Sequence, residues 1–402
     1  MKKKLLSFVA VALMLAACSS EEPMTPPTVE NDAMGANPYR VSLTDALKNA
    51  DALLGELGEG ETTRSAERKV ESVEYYSRPG TRALGGDTLL YLVNYADDAG
   101  FALLSADSRL RPIYAISDEG SMSFSDTTYN KGLALFASGV EAELASLPSI
   151  QLPIDSLPEG PIIHPEGTVT LTSQKSPMLG YHQSRWNQVS PYNQYCFTLQ
   201  GEQAVVGCAA IAVGQIMSYY KHPTSHGYYT FNWDEINGGN DNESLARFLN
   251  ILGGNLYLDM EYGVNLSTAE SNRYVPTFAN MGYSGYNLLA EFNEESIKNI
   301  LQNKGPVLTR GENASGGHAW VIDGYKQYIY RNLNTGYETR DNILFHCVWG
   351  WSGASNGYFY WATSRTLGGI PDETGPNDPI AYYNKVYDTN IQYMGGFEVR
   401  GY

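Results

Sequence analysis

From Ser42 onward, apolar residues recur at helical spacing. In "SLTDALKNADALLGELGEG", Leu43, Ala46, Leu47, Ala50, Leu53, Leu54 and Leu57 share a face. Ser42 and Asp45 form an N-terminal cap, and Gly58 and Gly60 stop the helix. The charged "GETTRSAERKVES" reads as a loop with the start of a strand. "DTLLYLVNYADDAGFALLSADSRLRPIYAISDEG" alternates short apolar runs with turn signals. Within it, Asp97, Asp98, Ala99 and Gly100 separate two strands as a hairpin does. "NKGLALFASGVEAELASL", from Asn130, predicts a second amphipathic helix. Residues 39–150 thus form a small α+β unit, and no catalytic side chains cluster in it.

The segment "PSIQLPIDSLPEGPIIHPEG" is rich in proline and poor in helix or strand signals. It marks a domain boundary, with a linker over 151–175. Beyond it, in 176–402, aromatics and glycines become dense, as in "WNQVSPYNQYC", "GGHAWVIDGY" and "FHCVWGWSGASNGYFYW". Strands dominate toward the C-terminus. The clearest helix is "CAAIAVGQIMSYY", from Cys208 to Tyr220, ended by Pro223. It is apolar on nearly every face, which places it in the middle of a domain.

Composition narrows the classes. A chain of 402 residues, 43% of them hydrophobic, builds two domains, or one domain and a pro-segment, with a sizeable core. A net charge of -17 disfavours nucleic acid and anionic membrane surfaces as ligands. The N-terminus "MKKKLLSFVAVALMLAACSS" has three lysines, an apolar run and small residues ending at Cys18. Residues 1–17 read as a signal peptide. "LAAC" resembles a bacterial lipobox, in which the cysteine carries lipid after cleavage; an ordinary signal with a chance cysteine is the other reading. Residues 18–38 form a flexible tether. Its Glu21–Glu22 pair resembles surface-export signals of some lipoproteins. The expectation is an exported protein at the outer membrane or cell surface, touching the membrane only through lipid on Cys18.

Export gives the cysteines meaning. Without Cys18 there remain Cys196, Cys208 and Cys347. An odd number in an oxidising compartment leaves one thiol unpaired unless it bonds another chain. Cys208 heads the apolar helix directly after Gly207. Backbone N–H groups and the helix dipole there favour a thiolate, so its pKa is expected below the usual value of about 8.5. A small core residue that begins a core helix is the competing reading. A thiolate nucleophile needs a His partner. His318 sits between paired glycines and the strand "AWVIDGY". Gln188, on the loop "RWNQVSPYN", offers an amide to an oxyanion beside the Cys208 N–H. His222 and His226 have a spacing used in some metal sites but lack acidic or Cys neighbours, and read as a surface loop. His164, His182 and His346 receive no role.

"WNQVSPYN", "GCAAIAVGQIMSYYKHP", "GGHAWVIDGY" and "WGWSGASNGYF" occur in this order. Together they resemble the streptopain family of papain-like cysteine peptidases, peptidase family C10, from about Pro177 onward. The block from Tyr39 to Ile150 resembles the family's inhibitory prodomain. The resemblance implies an α+β, papain-like cysteine peptidase fold with a small α+β prodomain, made as a zymogen and requiring no cofactor or metal. Its partners would be protein or peptide substrates and its own prodomain. Carried over by position, Cys208 is the nucleophile, His318 the base, Gln188 an oxyanion donor and Trp349 a wall over the histidine.

One position departs from the family pattern. Val348 stands where the family has Asn before Trp-Gly-Trp, and valine accepts no hydrogen bond from an imidazole; Asp323 and Asn356 are the candidate substitutes. Cys196 and Cys347 flank site motifs and are a candidate disulfide. Activation would cut near Ser173 to Lys175 and release the catalytic domain from its anchor. Two competing functions stay open: a non-catalytic binding lipoprotein on a degenerate protease fold, for which Val348 speaks, and amide hydrolysis on peptidoglycan peptides.

Overall fold

The computed structural model describes residues 40–55, 68–77, 88–108, 110–146, 167–287, 290–313, 316–332, 342–361 and 390–400. All belong to one compact unit, Asn37–Tyr402. The expected signal peptide, the tether with Cys18, residues 56–67 with the glycines expected to stop the first helix, and residues 147–166 of the boundary lie outside them.

Helix α1, Leu43–Gly55, starts as expected: Ser42 Oγ accepts from the Asp45 N–H at 3.1 Å and donates to its carboxylate at 2.6 Å. Strands β1 (Val70–Ser77), β2 (Thr88–Tyr95), β3 (Phe101–Ser105) and β4 (Ile113–Ser117) form an antiparallel meander. Asp97 and Asp98 turn the β2–β3 hairpin with φ of 60° and 54°. Acidic residues tolerate this left-handed conformation, which matches the strand twist. Helix α2, Lys131–Ser146, is capped by Asn130, whose Oδ1 accepts from the N–H groups of Gly132 and Leu133.

The peptidase-like part has helix α3 (Cys208–Tyr219) and helix α4 (Asn242–Leu252). With them run strands β5 (Gly167–Lys175), β6 (Ala290–Glu291), β7 (Val307–Asn313), β8 (Gly316–Asn332), β9 (Asn342–Val348), β10 (Gly357–Tyr360) and β11 (Asn390–Met394). Among the described residues one sheet runs β1-β2-β3-β4-β10-β9-β8-β7-β11-β6. The two regions join through β4 and β10, where Ile116 faces Tyr358 and Ala115 faces Phe359.

The linker expected over 151–175 is corrected in its last nine residues. Gly167–Lys175 is strand β5, paired along Tyr325–Asn332 of β8. Its threonines and Val169 suit a strand, but the partner lies about 150 residues away in sequence. Thr172 Oγ1 donates to the Gln327 carbonyl at 3.0 Å, and Ser173 Oγ meets the Tyr325 hydroxyl at 2.7 Å.

Side chains alternate across a strand, so β8 and β9 separate two cores. One gathers Leu133, Phe136 and Val140 of α2 with Trp320, Ile322, Cys347 and Trp349. The other gathers α3 and α4 with Leu308, Ala319, Val321 and Val348. Helix α3 is buried from Ala209 to Ser218, as its all-round apolarity predicts. Gly214 lets Leu249 of α4 and Trp186 approach it closely.

Candidate active site

Gly207 precedes α3 with φ of 90°, and a β-carbon there would lie 2.8 Å from the Ser267 carbonyl oxygen. Only glycine fits on both counts. Cys208 follows with a partly exposed side chain. The Gln188 carbonyl accepts from the Val206 N–H at 2.8 Å, which ties the 186–188 loop to the entry of α3. Asn187 Nδ2 donates to Ser352 Oγ at 2.6 Å, and the Ser352 N–H to the Trp186 carbonyl at 3.2 Å. The structure thus gathers Cys208, Gln188 and the loop after β9. Gln188 is buried, and its side-chain amide bonds no other described residue.

Loss of water around the Cys208 thiol pushes its pKa above the usual value. The backbone N–H groups of Ala319, Ala209 and Cys208 itself, and the charge of Arg310, oppose that shift. The expectation of a lowered pKa is therefore overturned in this arrangement: the helix start favours the thiolate, but desolvation outweighs it.

His318 lies near the start of β8, buried, with its ring parallel to Trp320 at 6.2 Å. Its Nε2 is 2.9 Å from the Trp349 carbonyl. A carbonyl only accepts, so Nε2 carries the hydrogen. Burial lowers the imidazole pKa from 6.5 to about 4, so it is neutral. No hydrogen bond joins it to Cys208 among the described residues. Cys208 and His318 are in one neighbourhood but uncoupled.

The covering element is α2. A β-carbon on Gly132 would lie 2.5 Å from Trp349 Cζ3 and 2.8 Å from His318 Cδ2, so the helix backbone presses on both rings. Nearby contacts reinforce it. Ser355 Oγ donates to Asp126 at 3.1 Å, Arg185 pairs with Glu119 at 2.9 Å, and Tyr129 stands edge-on to Trp351.

Trp349 is fully buried against Trp320 and Phe359. Its Nε1–H donates to the Ser355 carbonyl at 2.9 Å, and its backbone N–H to Asn356 Oδ1 at 3.1 Å. Asn356 Nδ2 in turn donates to the Ser184 carbonyl at 3.0 Å. Asn356 therefore holds the backbone N–H of the residue whose carbonyl meets His318, and forms no hydrogen bond with the imidazole itself. Asp323 does not substitute for the missing Asn either. Its Oδ1 is 2.6 Å from His346 Nδ1, and its Oδ2 accepts from the N–H groups of Met178 and Leu179. Val348 faces Val321 across the β8–β9 ladder and is buried in the α3 core.

Two further expectations are corrected. Cys196 and Cys347 are both free. Cys196 belongs to the α3 core and Cys347 to the α2 core, on opposite sides of the sheet. His222 is not in a surface loop: it is buried, with Nε2 2.9 Å from the Met281 carbonyl, and His226 meets the Tyr257 hydroxyl at 2.6 Å. Gly132 and Arg310 carried no signal before the fold, because each acts through a residue far away in sequence.

The fold and the site define a papain-like cysteine peptidase architecture of α+β class with an inhibitory prodomain docked on it. The sequence pattern of the peptidase C10 family matches residues 186–250 and 243–359, and that of the Spi protease inhibitor matches residues 39–144. The peptidase-like part of this chain thus carries the peptidase C10 pattern, preceded by the inhibitor pattern. It is 28% identical over 323 residues to the thiol protease/hemagglutinin PrtT of Porphyromonas gingivalis, covering 68% of this chain but only 34% of that protein. It is 25% identical over 328 residues to streptopain of Streptococcus pyogenes, covering 69% of this chain and 75% of that one. A prointerpain A fragment of Prevotella intermedia shares its fold, with a TM-score of 0.50 and 17% identity over 82% of this chain and all of the fragment.

Proposed function

We propose that this chain is the latent form of an exported cysteine endopeptidase that hydrolyses peptide bonds in proteins. The observation that carries the reading is Cys208 at the head of α3 in one neighbourhood with a buried His318 that lies under Gly132 of α2 and meets the Trp349 carbonyl. A site with that nucleophile and that cover is a peptidase held off.

Removal of α2 frees the His318 ring to turn toward Cys208 and to gain water, which raises its basicity. His318 then takes the proton of the Cys208 thiol, and the thiolate attacks the scissile carbonyl carbon. The oxyanion is held by the Cys208 N–H and the Gln188 amide. The imidazolium gives its proton to the leaving amine, which leaves a thioester on Cys208. A water molecule, deprotonated by His318, attacks the thioester and releases the acid and the thiol. Trp349 shields the imidazole. Residues 1–18 serve as export and lipid-attachment signal; loss of labelled palmitate from a Cys18→Ala chain tests this, and unchanged labelling rejects it.

The decisive experiment expresses the chain from about Pro23, with Cys208 and as Cys208→Ala, and follows propeptide loss and casein hydrolysis under reducing conditions. The intact form is expected to shed its prodomain and digest casein, and the variant to do neither. Val348 favours a second reading, a binding lipoprotein on a disabled site. If the intact form stays inactive after subtilisin has removed the prodomain, that second reading replaces the first.

A further inference from the structure

Helix α2 meets the peptidase-like part at one end and a buried arginine near the other. Gly132, in its first turn, lies on His318. Glu143 is roughly 16 Å further along the helix axis, and it pairs with Arg111. The Arg111 guanidinium is stacked on the Tyr360 ring, 3.4 Å from the ring centroid. Its Nη1 donates to Asn342 Oδ1 at 3.1 Å, and its Nε is 3.6 Å from Glu143 Oε1. The side chains of Arg111 and Glu143 are only 12% and 6% exposed, so this contact is shielded from water.

Arg111 belongs to the prodomain, just before β4, while Tyr360 and Asn342 belong to the peptidase-like part. Tyr360 of β10 is opposite Leu344 of β9, and Asn342 is two residues before Leu344. Tyr328 of β8 is opposite Asn342. Opposed residues, and residues two apart on a strand, project to one face. The peptidase-like strands alone therefore set Tyr360, Asn342 and Tyr328 side by side, and all three are buried. The Tyr328 hydroxyl donates to the Ile113 carbonyl at 3.4 Å, which holds the chain just beyond Arg111. A planar guanidinium suits this place, because it covers an aromatic face while its edge donates to an amide oxygen. The seam of the sheet beside it is short: β4 and β10 share two residue pairs.

We propose that Tyr360, Asn342 and Tyr328 form an arginine-binding site of the peptidase, set apart from His318, which the prodomain fills with Arg111. The site retains the prodomain after the chain between the two has been cut, because such a cut leaves Arg111 and its partners in place. Activation therefore takes two events: the cut, and the withdrawal or digestion of the segment that carries Arg111. This rests on the reading of the chain as a latent peptidase, but what it predicts is binding rather than activity.

The test uses the full chain as Cys208→Ala, with a recognition site for a sequence-specific protease inserted within 151–166. After that cut, the prodomain remaining with the peptidase is followed over time by size-exclusion chromatography. The two fragments of this parent chain are expected to stay together. Arg111→Lys keeps a charge beside Glu143 but loses the stacked plane, and is expected to lose the prodomain at least about ten-fold faster. Asn342→Ala, with the prodomain unaltered, is expected to act in the same direction and carries the test if Arg111→Lys does not fold. The double variant is expected to show less than the product of the two effects, because both remove one interaction. Arginine amide should hasten loss from the parent pair, and lysine amide at equal ionic strength should not. A prodomain that departs as soon as the chain is cut overturns the proposal. So does retention in both single variants equal to the parent, full additivity of the two, or an equal effect of the two amides. If chains with Cys208 never digest casein while retention still depends on Arg111, the endopeptidase reading falls and this one stands.

Discussion

Gly132 and His318 meet face to face in the latent chain: a β-carbon on Gly132 would lie 2.8 Å from Cδ2 of the imidazole. The first turn of α2 is the nearest cover over the base, and its fit depends on a missing side chain. In this arrangement His318 Nε2 is held at the Trp349 carbonyl, and no hydrogen bond joins the ring to Cys208 among the described residues.

Gly132→Ala separates two opposed effects. In an exposed helix, alanine gains about 1 kcal/mol over glycine. Here the new methyl meets Trp349, which is fully buried and cannot retreat, and overpacking costs about 1–3 kcal/mol. The clash is expected to win. Full-length Gly132→Ala should melt lower in a Cys208→Ala background and, with Cys208 intact, activate with a shorter lag on casein. A higher melting temperature would show that α2 has room there.

Latency should also weaken on acidification. The imidazole pKa is about 4 in the latent fold and near 6.5 when solvated. Between these values the unfolded chain binds a proton that the folded chain does not. The stability is therefore fully present above pH 6.5, is lost as pH falls toward 4, and changes no further below that. The span corresponds to about 3 kcal/mol. Melting curves of Cys208→Ala and of Cys208→Ala with His318→Gln, from pH 7.5 to 4, isolate this share from the carboxylates. The His-containing chain should lose a few degrees more; equal losses would contradict the burial of a neutral His318.

Gln188→Ala should damage chemistry far more than fold. The amide bonds no described residue, so little hydrogen bonding is lost. An oxyanion donor is worth about 10²–10³ in kcat. The processed enzyme should show that fall in kcat with KM nearly unchanged and a cooperative melt. A loss below ten-fold would remove Gln188 from the oxyanion site.

Strand β5 makes a prediction about activation. Between Lys131 and Lys175 the chain has no Lys or Arg, so a tryptic cut that separates prodomain from peptidase must fall at Lys175. The backbone of Lys175 is paired with Tyr325, and Gln174 accepts from Lys326 at 2.9 Å. A protease needs this segment unpaired. Trace trypsin should leave the Lys175–Ser176 bond intact in the folded chain, and a protease of broad specificity should cut outside 167–175. Early appearance of a fragment beginning at Ser176 would show that β5 peels readily.

Sequence alone determined what depends on chain neighbours. The apolar spacing in α2 and at the start of α1, the Asp97–Asp98 hairpin, and the all-apolar helix headed by Cys208 are local patterns, and each formed where its residues prescribe. The ordered motifs also named Cys208, His318, Gln188 and Trp349, which the fold brings to one neighbourhood. Only the tertiary structure decided the rest. Alternation along β8 and β9 put Cys196 and Cys347 on opposite sides of the sheet, which forbids their disulfide. Pairing with β8 turned the end of the expected linker into a strand. Burial reversed the expected shift of the Cys208 thiol, and the pairing of β8 with β9 brought His318 to the Trp349 carbonyl. Such outcomes depend on which distant segments exclude water from a group or hydrogen-bond its backbone, and no spacing along the chain encodes that.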